Sequence, residues 1–344
     1  MTDIAATIKT DRRKGSLLEM VVIGVTLLLI VAFSVLTEGF ATVGNFRVIL
    51  ANSASLVILS CGMAVVIISG GLDLSLIAQM VAGAATFSIL IGPGVPAAAG
   101  LLLTVLAMVL VGGVNGWLIA YVEIPPMLAT LASAMLITGL FRFAILRGEF
   151  LLLLPKTNPA VIFLAGDIVP GVPVPVALMI AALVAAWLFL RYTVAGRITY
   201  AMGDNFQAAR LTGLPVRPTT VLVYVFAALT ALLAGLVISA ASGAVDFRTV
   251  TNGSLLFEVI LVVVLGGIPL RGGRGGIPLR GGRGGIRNII VGVTLIAVLR
   301  NGMTLLDFTT QTQDMLKGLV LILAIIVDKY LNPREIETDT VGDL

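Results

Sequence analysis

An all-α integral membrane protein with about ten transmembrane helices is the fold class this 344-residue sequence predicts, on three observations. Hydrophobic residues make up 58% of the chain and charged residues 12%, against roughly 45–50% and about 25% in soluble domains. The apolar residues gather into ten runs, most of them near the ~20 residues that a spanning helix needs. Those spans use most of the chain, so no sizeable soluble domain fits between them.

The runs follow in order. A basic segment, residues 1–15 with Lys9, Arg12, Arg13 and Lys14, precedes Leu17 to Leu36, which reads as a retained first span because a cleaved signal would have a shorter core and a small-residue cleavage site. Then come Val48 to Ile68, Leu74 to Ile91, Pro96 to Val122, Met127 to Leu146, Val174 to Leu190, Thr219 to Ala241, Leu255 to Leu265, Asn288 to Leu306 and Met315 to Leu331. Residues 16–331 thus form a single transmembrane domain. The connection from Arg147 to Pro173 mixes leucines with four prolines and is expected to lie against the membrane surface. Residues 332–344 form an acidic tail.

With ten spans, both termini lie on one side, and Lys and Arg should concentrate there if that side is the cytoplasm. They do: the N-terminal cluster, Arg191, Arg197, Arg210, Arg217, the arginines between Arg271 and Arg287, Lys329 and Arg334 all fall on it, against Arg47, Arg142, Arg147, Lys156, Arg248, Arg300 and Lys317 on the other. The expectation is a multi-pass membrane protein with both termini cytoplasmic.

Histidine is absent and Cys61 is the only cysteine. An internal disulfide is excluded, and most hydrolase and zinc chemistry loses its usual base and ligands. No catalytic residue, metal site or cofactor is expected. No GxxxxGK[ST] segment occurs, so the chain does not hydrolyse ATP by itself. No charge pairs are evident across the spans, which argues against an ion-coupled secondary carrier of a small neutral solute, the competing reading.

Three segments carry information. Asp204 to Gly213, DNFQAARLTG, lies in the cytoplasmic connection 191–218. Asp204 with Gln207 reads as a capping box, and Gly213 before Pro215 as a stop. The result is a helix of about two turns, from Asn205 to Thr212, too short to stand alone; Ala208 and Ala209 would allow close approach of a partner, beside Arg210. Gly70 to Ser75, GGLDLS, places Asp73 at an embedded break, either as a functional acid or as a helix cap. Gly266 to Arg274, GGIPLRGGR, is repeated without change as Gly275 to Arg283, a local duplication inside the cytoplasmic loop 266–287. Lacking aromatics to stack bases, it points to membrane lipid contact or a positive anchor and not to nucleic acid.

Uncharged polar residues inside the runs include Asn52, Ser53, Ser75, Gln79, Asn115, Thr130 and Asn301. They suit a path for a neutral polyhydroxyl solute, and equally they suit packing between helices.

These residues together resemble one family, the permeases of bacterial ATP-binding-cassette (ABC) importers for monosaccharides, the ribose, xylose, arabinose and galactoside branch. Gly70 to Ser75 resembles its GG[IL]DLS signature; Gly113, Asn115 and Gly116 resemble GxNG; Pro126, Ala129, Thr130 and Leu131 resemble PxxATL. Gln207, Ala208, Ala209 and Gly213 resemble the EAA-type coupling motif, with Gln for Glu. Glu258 to Gly267, Asn301 with Gly302, and Lys317 with Gly318 follow its closing pattern. Two departures stand out: Leu76 and Ile77 replace the usual Val-Gly, and the loop after Gly267 is doubled. The resemblance implies a type II importer permease that pairs with a second permease around a central path. It also implies two cytoplasmic ABC ATPase subunits and an extracytoplasmic or periplasmic sugar-binding protein. Asp204, Gln207, Ala208, Ala209, Arg210 and Gly213 would then carry ATPase coupling. Asn52, Ser53, Asp73, Ser75, Gln79, Asn115, Thr130 and Asn301 would be candidates for the path.

Overall fold

The computed structural model describes residues 2–91, 95–268 and 284–331. The duplicated GGIPLRGGR segment beyond Ile268 and the acidic tail lie outside them. In chain order the elements are α1 (Thr2–Leu36), α2 (Val43–Ile68), α3 (Leu76–Ile91), α4 (Ala97–Ala120), α5 (Pro126–Ala144), β1 (Leu151–Leu153), α6 (Pro159–Ala165), β2 (Asp167–Val169) and β3 (Val172–Pro173). They continue with α7 (Val174–Tyr192), α8 (Val194–Asp204), α9 (Phe206–Leu211), α10 (Val216–Ser242), β4 (Ala244–Asp246), α11 (Arg248–Asn252), α12 (Ser254–Leu265), α13 (Ile286–Leu305) and α14 (Thr310–Leu331).

Each apolar run meets one helix. Seven of these helices, α1, α2, α4, α5, α7, α10 and α13, are long and apolar enough to cross a membrane. The α3 and α12 helices are apolar but shorter. At 1.5 Å per residue the 16 residues of α3 reach only about 24 Å of the ~30 Å needed. The non-helical segment Gly70–Ser75 precedes α3, and the one-turn helix α11 precedes α12.

Burial separates centre from rim. The apolar stretch of α2 is 78% buried and that of α10 61%, whereas α1, α4, α5 and α7 stay between 17% and 28%. Thus α2 and α10 form the middle, with α3, α4, α7, α12 and α13 packed around them. Outward-facing Leu102, Leu136, Phe143 and Leu323 are exposed, the pattern of a bundle solvated by lipid.

The contact of α4 with α10 is set by backbone approach. A Cβ at Gly112 would lie 2.7 Å from the Tyr224 carbonyl oxygen, and one at Gly116 would lie 2.5 Å from Val221 Cα, while a Cβ at Gly113 would meet nothing. The glycines that matter are therefore Gly112 and Gly116, four apart on one helix face, and not the Gly113 singled out by sequence.

At one end of the bundle, β1 pairs antiparallel with β4, Leu152 opposite Val245, and α6 with the β2–β3 hairpin completes the proline-rich connection. Near this end a charged cluster corrects the expectation of no pairs across the spans. Glu258 of α12 is 5% exposed and stands 3.8 Å from Arg300 of α13 and 3.5 Å from Lys317 of α14, which also meets Asp314 at 2.9 Å. Glu258, Arg300 and Lys317 are far apart in sequence, so only packing joins them.

The opposite end carries α8, α9 and the stem of the duplicated loop. Gly266 and Gly292 bring α12 and α13 into backbone contact, since a Cβ on either would collide with a backbone oxygen of the other helix. Asn288 Nδ2 donates to the Gly266 carbonyl, and Tyr200 of α8 donates to the Gly284 carbonyl at 2.8 Å.

Candidate functional site

The break after α2 begins where Gly70 turns out of the helix at φ +87°, a conformation that costs little only without a Cβ. Its N–H and that of Gly71 bond back to the carbonyls of Ile67 and Val66 at 2.9 and 3.0 Å, closing the helix end. The chain then runs without regular structure to a turn at Leu74–Ser75 before α3, with Asp73 and Ser75 both fully buried.

Buried polar groups need partners, more so where no water is available, and here they find one another. Asp73 Oδ1 accepts from the backbone N–H of Ser75 at 2.8 Å and from its hydroxyl at 2.5 Å; Oδ2 accepts from Gln79 Nε2 at 3.1 Å. Gln79 Nε2 also donates to Ser75 Oγ at 2.6 Å, and Asn115 Nδ2 of α4 donates to the same oxygen at 3.0 Å. Thr130 of α5 accepts from the Leu74 N–H at 3.1 Å. Five residues singled out separately by sequence, Asp73, Ser75, Gln79, Asn115 and Thr130, thus form one cluster that fastens the break to α4 and α5. Asp73 closes the turn just before α3 by accepting from the N–H of Ser75, and that turn is part of a wider polar junction. Gln79 Oε1, Asn115 Oδ1 and the Tyr224 hydroxyl remain buried without partners.

The other path candidates lie elsewhere. Asn52 is exposed on α2, Ser53 bonds to its own helix at the Ile49 carbonyl, and Asn301 pairs reciprocally with Asn45 at 2.9 Å in both directions.

The short helix is α9. Its cap is Asn205, one residue after the Asp204 expected from sequence. Asn205 is extended (φ −151°, ψ 99°) and its Oδ1 accepts from the Ala208 N–H at 2.9 Å, while Asp204 already belongs to the last turn of α8. The Asp204–Gln207 capping box therefore does not form. The stop is as expected, Gly213 adopting φ +78°. The two alanines divide: Ala208 faces out, whereas Ala209 is 5% exposed and packs on Ile198, Met202 and Val216. The partner surface that a short helix requires is thus supplied in part by α8 and the start of α10.

Between α9 and the break lies a cavity of about 380 Å3. Gly70, Gly71 and Tyr224 line it on one side, Gln207 and Arg210 on another, with Glu123 and Arg217. Glu123 sits in the α4–α5 loop at φ +62°; its Oε1 meets Arg210 at 3.4 Å and Arg217 at 3.0 Å. The hydrogen bond from Arg217, then the charge of Arg210, hold its carboxyl below the usual carboxylate range. Sequence reasoning did not single out Glu123 or Tyr224. A lone acid before a double proline was the available signal for Glu123, and Tyr224 carried none within its apolar run. Among the described residues no cluster of His, Cys, Asp and Glu is of a size to hold a metal ion.

Comparison with known proteins bears on this arrangement. Residues 45–325 match the family described as branched-chain amino acid transport system/permease component. A probable ABC transporter permease protein, y4mJ, of Sinorhizobium fredii is 30% identical over 92% of this chain and 90% of its own. The ribose import permease of Bacillus subtilis is 31% identical over 88% and 90%, and the L-arabinose transport system permease of Escherichia coli 32% over 88% and 88%. No solved structure matches. Near-complete coverage by permeases sets aside the secondary-carrier reading, and the chain belongs to the branched-chain amino acid transport system/permease component family.

Proposed function

We propose that this chain is the transmembrane permease subunit of an ABC importer that passes a monosaccharide, a pentose, hexose or related polyol, across a bacterial inner membrane. It has no ATPase site of its own, so a separate cytoplasmic ATPase drives it. The α9 end faces the cytoplasm with both termini, as the Lys and Arg distribution supports. The β1–β4 end faces a soluble sugar-binding protein, and a second permease, identical or related, completes the path. Ten spans follow if α3, α12 and α14 also cross.

The observation that carries this reading is the shared cavity. The helix resembling a coupling motif and the first two residues of the GGLDLS break, Gly70 and Gly71, line the same space, so a push on α9 is felt where the break begins. Ala208 and Gln207, exposed on α9, are the contacts offered to the ATPase.

A cysteine at Ala208, in a background where buried Cys61 is replaced, should crosslink to the ATPase of the assembled complex, and uptake of labelled pentose should require ATP hydrolysis. Absence of any crosslink with an ATPase that is present and hydrolysing would overturn the coupling role of α9. Uptake driven by an ion gradient without ATP would overturn the importer reading.

A further inference from the structure

The cavity beside α9 has properties that coupling does not require. Its volume falls within the roughly 300–1,000 Å3 of small-molecule sites, and its polarity is graded. At the mouth stand Arg210 and Arg217, 46% and 43% exposed, both directed at a single oxygen of Glu123. The inner wall is neutral, formed by Ser69, Gly70, Gly71 and Tyr224. Tyr224 is 1% exposed, and its hydroxyl has no hydrogen-bond partner. Tyr224 lines the cavity, and its hydroxyl lies next to Gly71, itself a lining residue, where an added Cβ would come within 2.7 Å of it. A buried, unpartnered hydroxyl is costly unless something bonds to it.

We propose that this cavity binds a phosphate group carrying a small polyol, with the phosphate between Arg210 and Arg217 and a hydroxyl of the polyol on the Tyr224 hydroxyl. Paired guanidiniums suit a phosphate's several acceptor oxygens. The competing carboxylate is weakly held: Glu123 is 58% exposed, and an ion pair open to water is screened and contributes little. Two sources share this chemistry, a soluble sugar phosphate and the headgroup of phosphatidylglycerol. Because Arg210 belongs to α9, an occupant would draw that helix away from Glu123 and slow import. The slowing rests on the importer reading; the binding does not. A neutral sugar brought into a cell is next consumed by phosphorylation, so a sugar phosphate here would act as product feedback.

The test uses the complete importer in nanodiscs of phosphatidylcholine, titrated calorimetrically with D-ribose 5-phosphate, inorganic phosphate and D-ribose. The sugar phosphate should bind best, inorganic phosphate more weakly, and ribose not measurably. Arg217→Gln should weaken both phosphates about tenfold. Tyr224→Phe should weaken the sugar phosphate about fivefold and leave inorganic phosphate unchanged. Glu123→Gln should tighten both, a gain that a merely structural role for Glu123 does not give. Nanodiscs containing phosphatidylglycerol separate the sources: if the lipid co-purifies with the wild-type chain but not with Arg217→Gln, and lowers sugar phosphate affinity, the lipid is the occupant. No binding of either source, or binding indifferent to Arg217→Gln and Glu123→Gln, overturns the proposal. These measurements read no transport, so their failure leaves the importer reading standing, and failure of ATP-driven uptake leaves the site standing.

Discussion

Replacing Asp73 by alanine and by asparagine separates what its carboxylate does from what any cap would do. Alanine removes all three accepted bonds. Gln79 Nε2 still donates to Ser75 Oγ at 2.6 Å, so the groups left without an acceptor are the buried N–H and O–H of Ser75. An orphaned buried donor costs about 1–3 kcal/mol and a lost bond to a charged acceptor about 1.5–3, partly offset by no longer burying a charge. We expect Asp73→Ala to destabilise by about 2–4 kcal/mol. Asparagine keeps an oxygen for Ser75 and presents an NH2 to Gln79, whose unpartnered Oε1 can accept it after an amide flip. Asp73→Asn should therefore cost only about 0.5–1.5 kcal/mol. Equilibrium unfolding of the purified permease in mixed micelles gives the two values, and labelled-sugar uptake gives the functional partner. Equal costs for the two variants would refute the hydrogen-bond accounting. Full transport by Asp73→Asn would reduce the residue to a cap.

Other outcomes follow from the same geometry. Gly116→Ala should destabilise by about 1–3 kcal/mol, because its Cβ meets the α10 backbone, whereas Gly113→Ala should be neutral or slightly stabilising; thermal aggregation of the two variants side by side checks this. The carboxyl of Glu123 is held below its ordinary value of 4.5, so its grip on Arg210 and Arg217 is complete above that value and is lost as pH falls through the lowered one. Spin labels at Ala208 and Val122 should keep their separation from neutral pH down through 4.5 and part only in stronger acid; parting near neutrality would contradict the shift. Removing Gly275 to Arg283 should leave insertion and transport intact, and complete loss of uptake would show that the duplicate is recruited to ATPase contact.

What the sequence revealed follows the physics of each signal. Hydropathy is a local sum, so the apolar runs were legible one by one, as was the glycine that stops α9. The amphipathic helix α8 was missed although Ile198 and Met202, four apart, lie on its buried face, because its 11 residues are too few to stand out as a spanning run. The cap fell on Asn205 because α8 continues through Asp204, a matter of where one helix ends and not of the capping residues themselves. Asp73, Ser75, Gln79, Asn115 and Thr130 were each suspect as polar residues in apolar surroundings; that they meet depends on how α3, α4 and α5 cross. Glu258, Arg300 and Lys317 stayed unlinked for the same reason.

The clamp that joins α12 to α13 bears on how this family member tolerates its doubled loop. Gly266, Asn288, Gly292 and the Tyr200–Gly284 bond fix both ends of the segment at one place on the bundle. Its contour length is therefore decoupled from the register of the two helices it joins. For a chain segment closed at a fixed stem, each doubling in length costs only about 0.6 kcal/mol. Nine further residues therefore add little to the conformational cost of closing the segment on that stem.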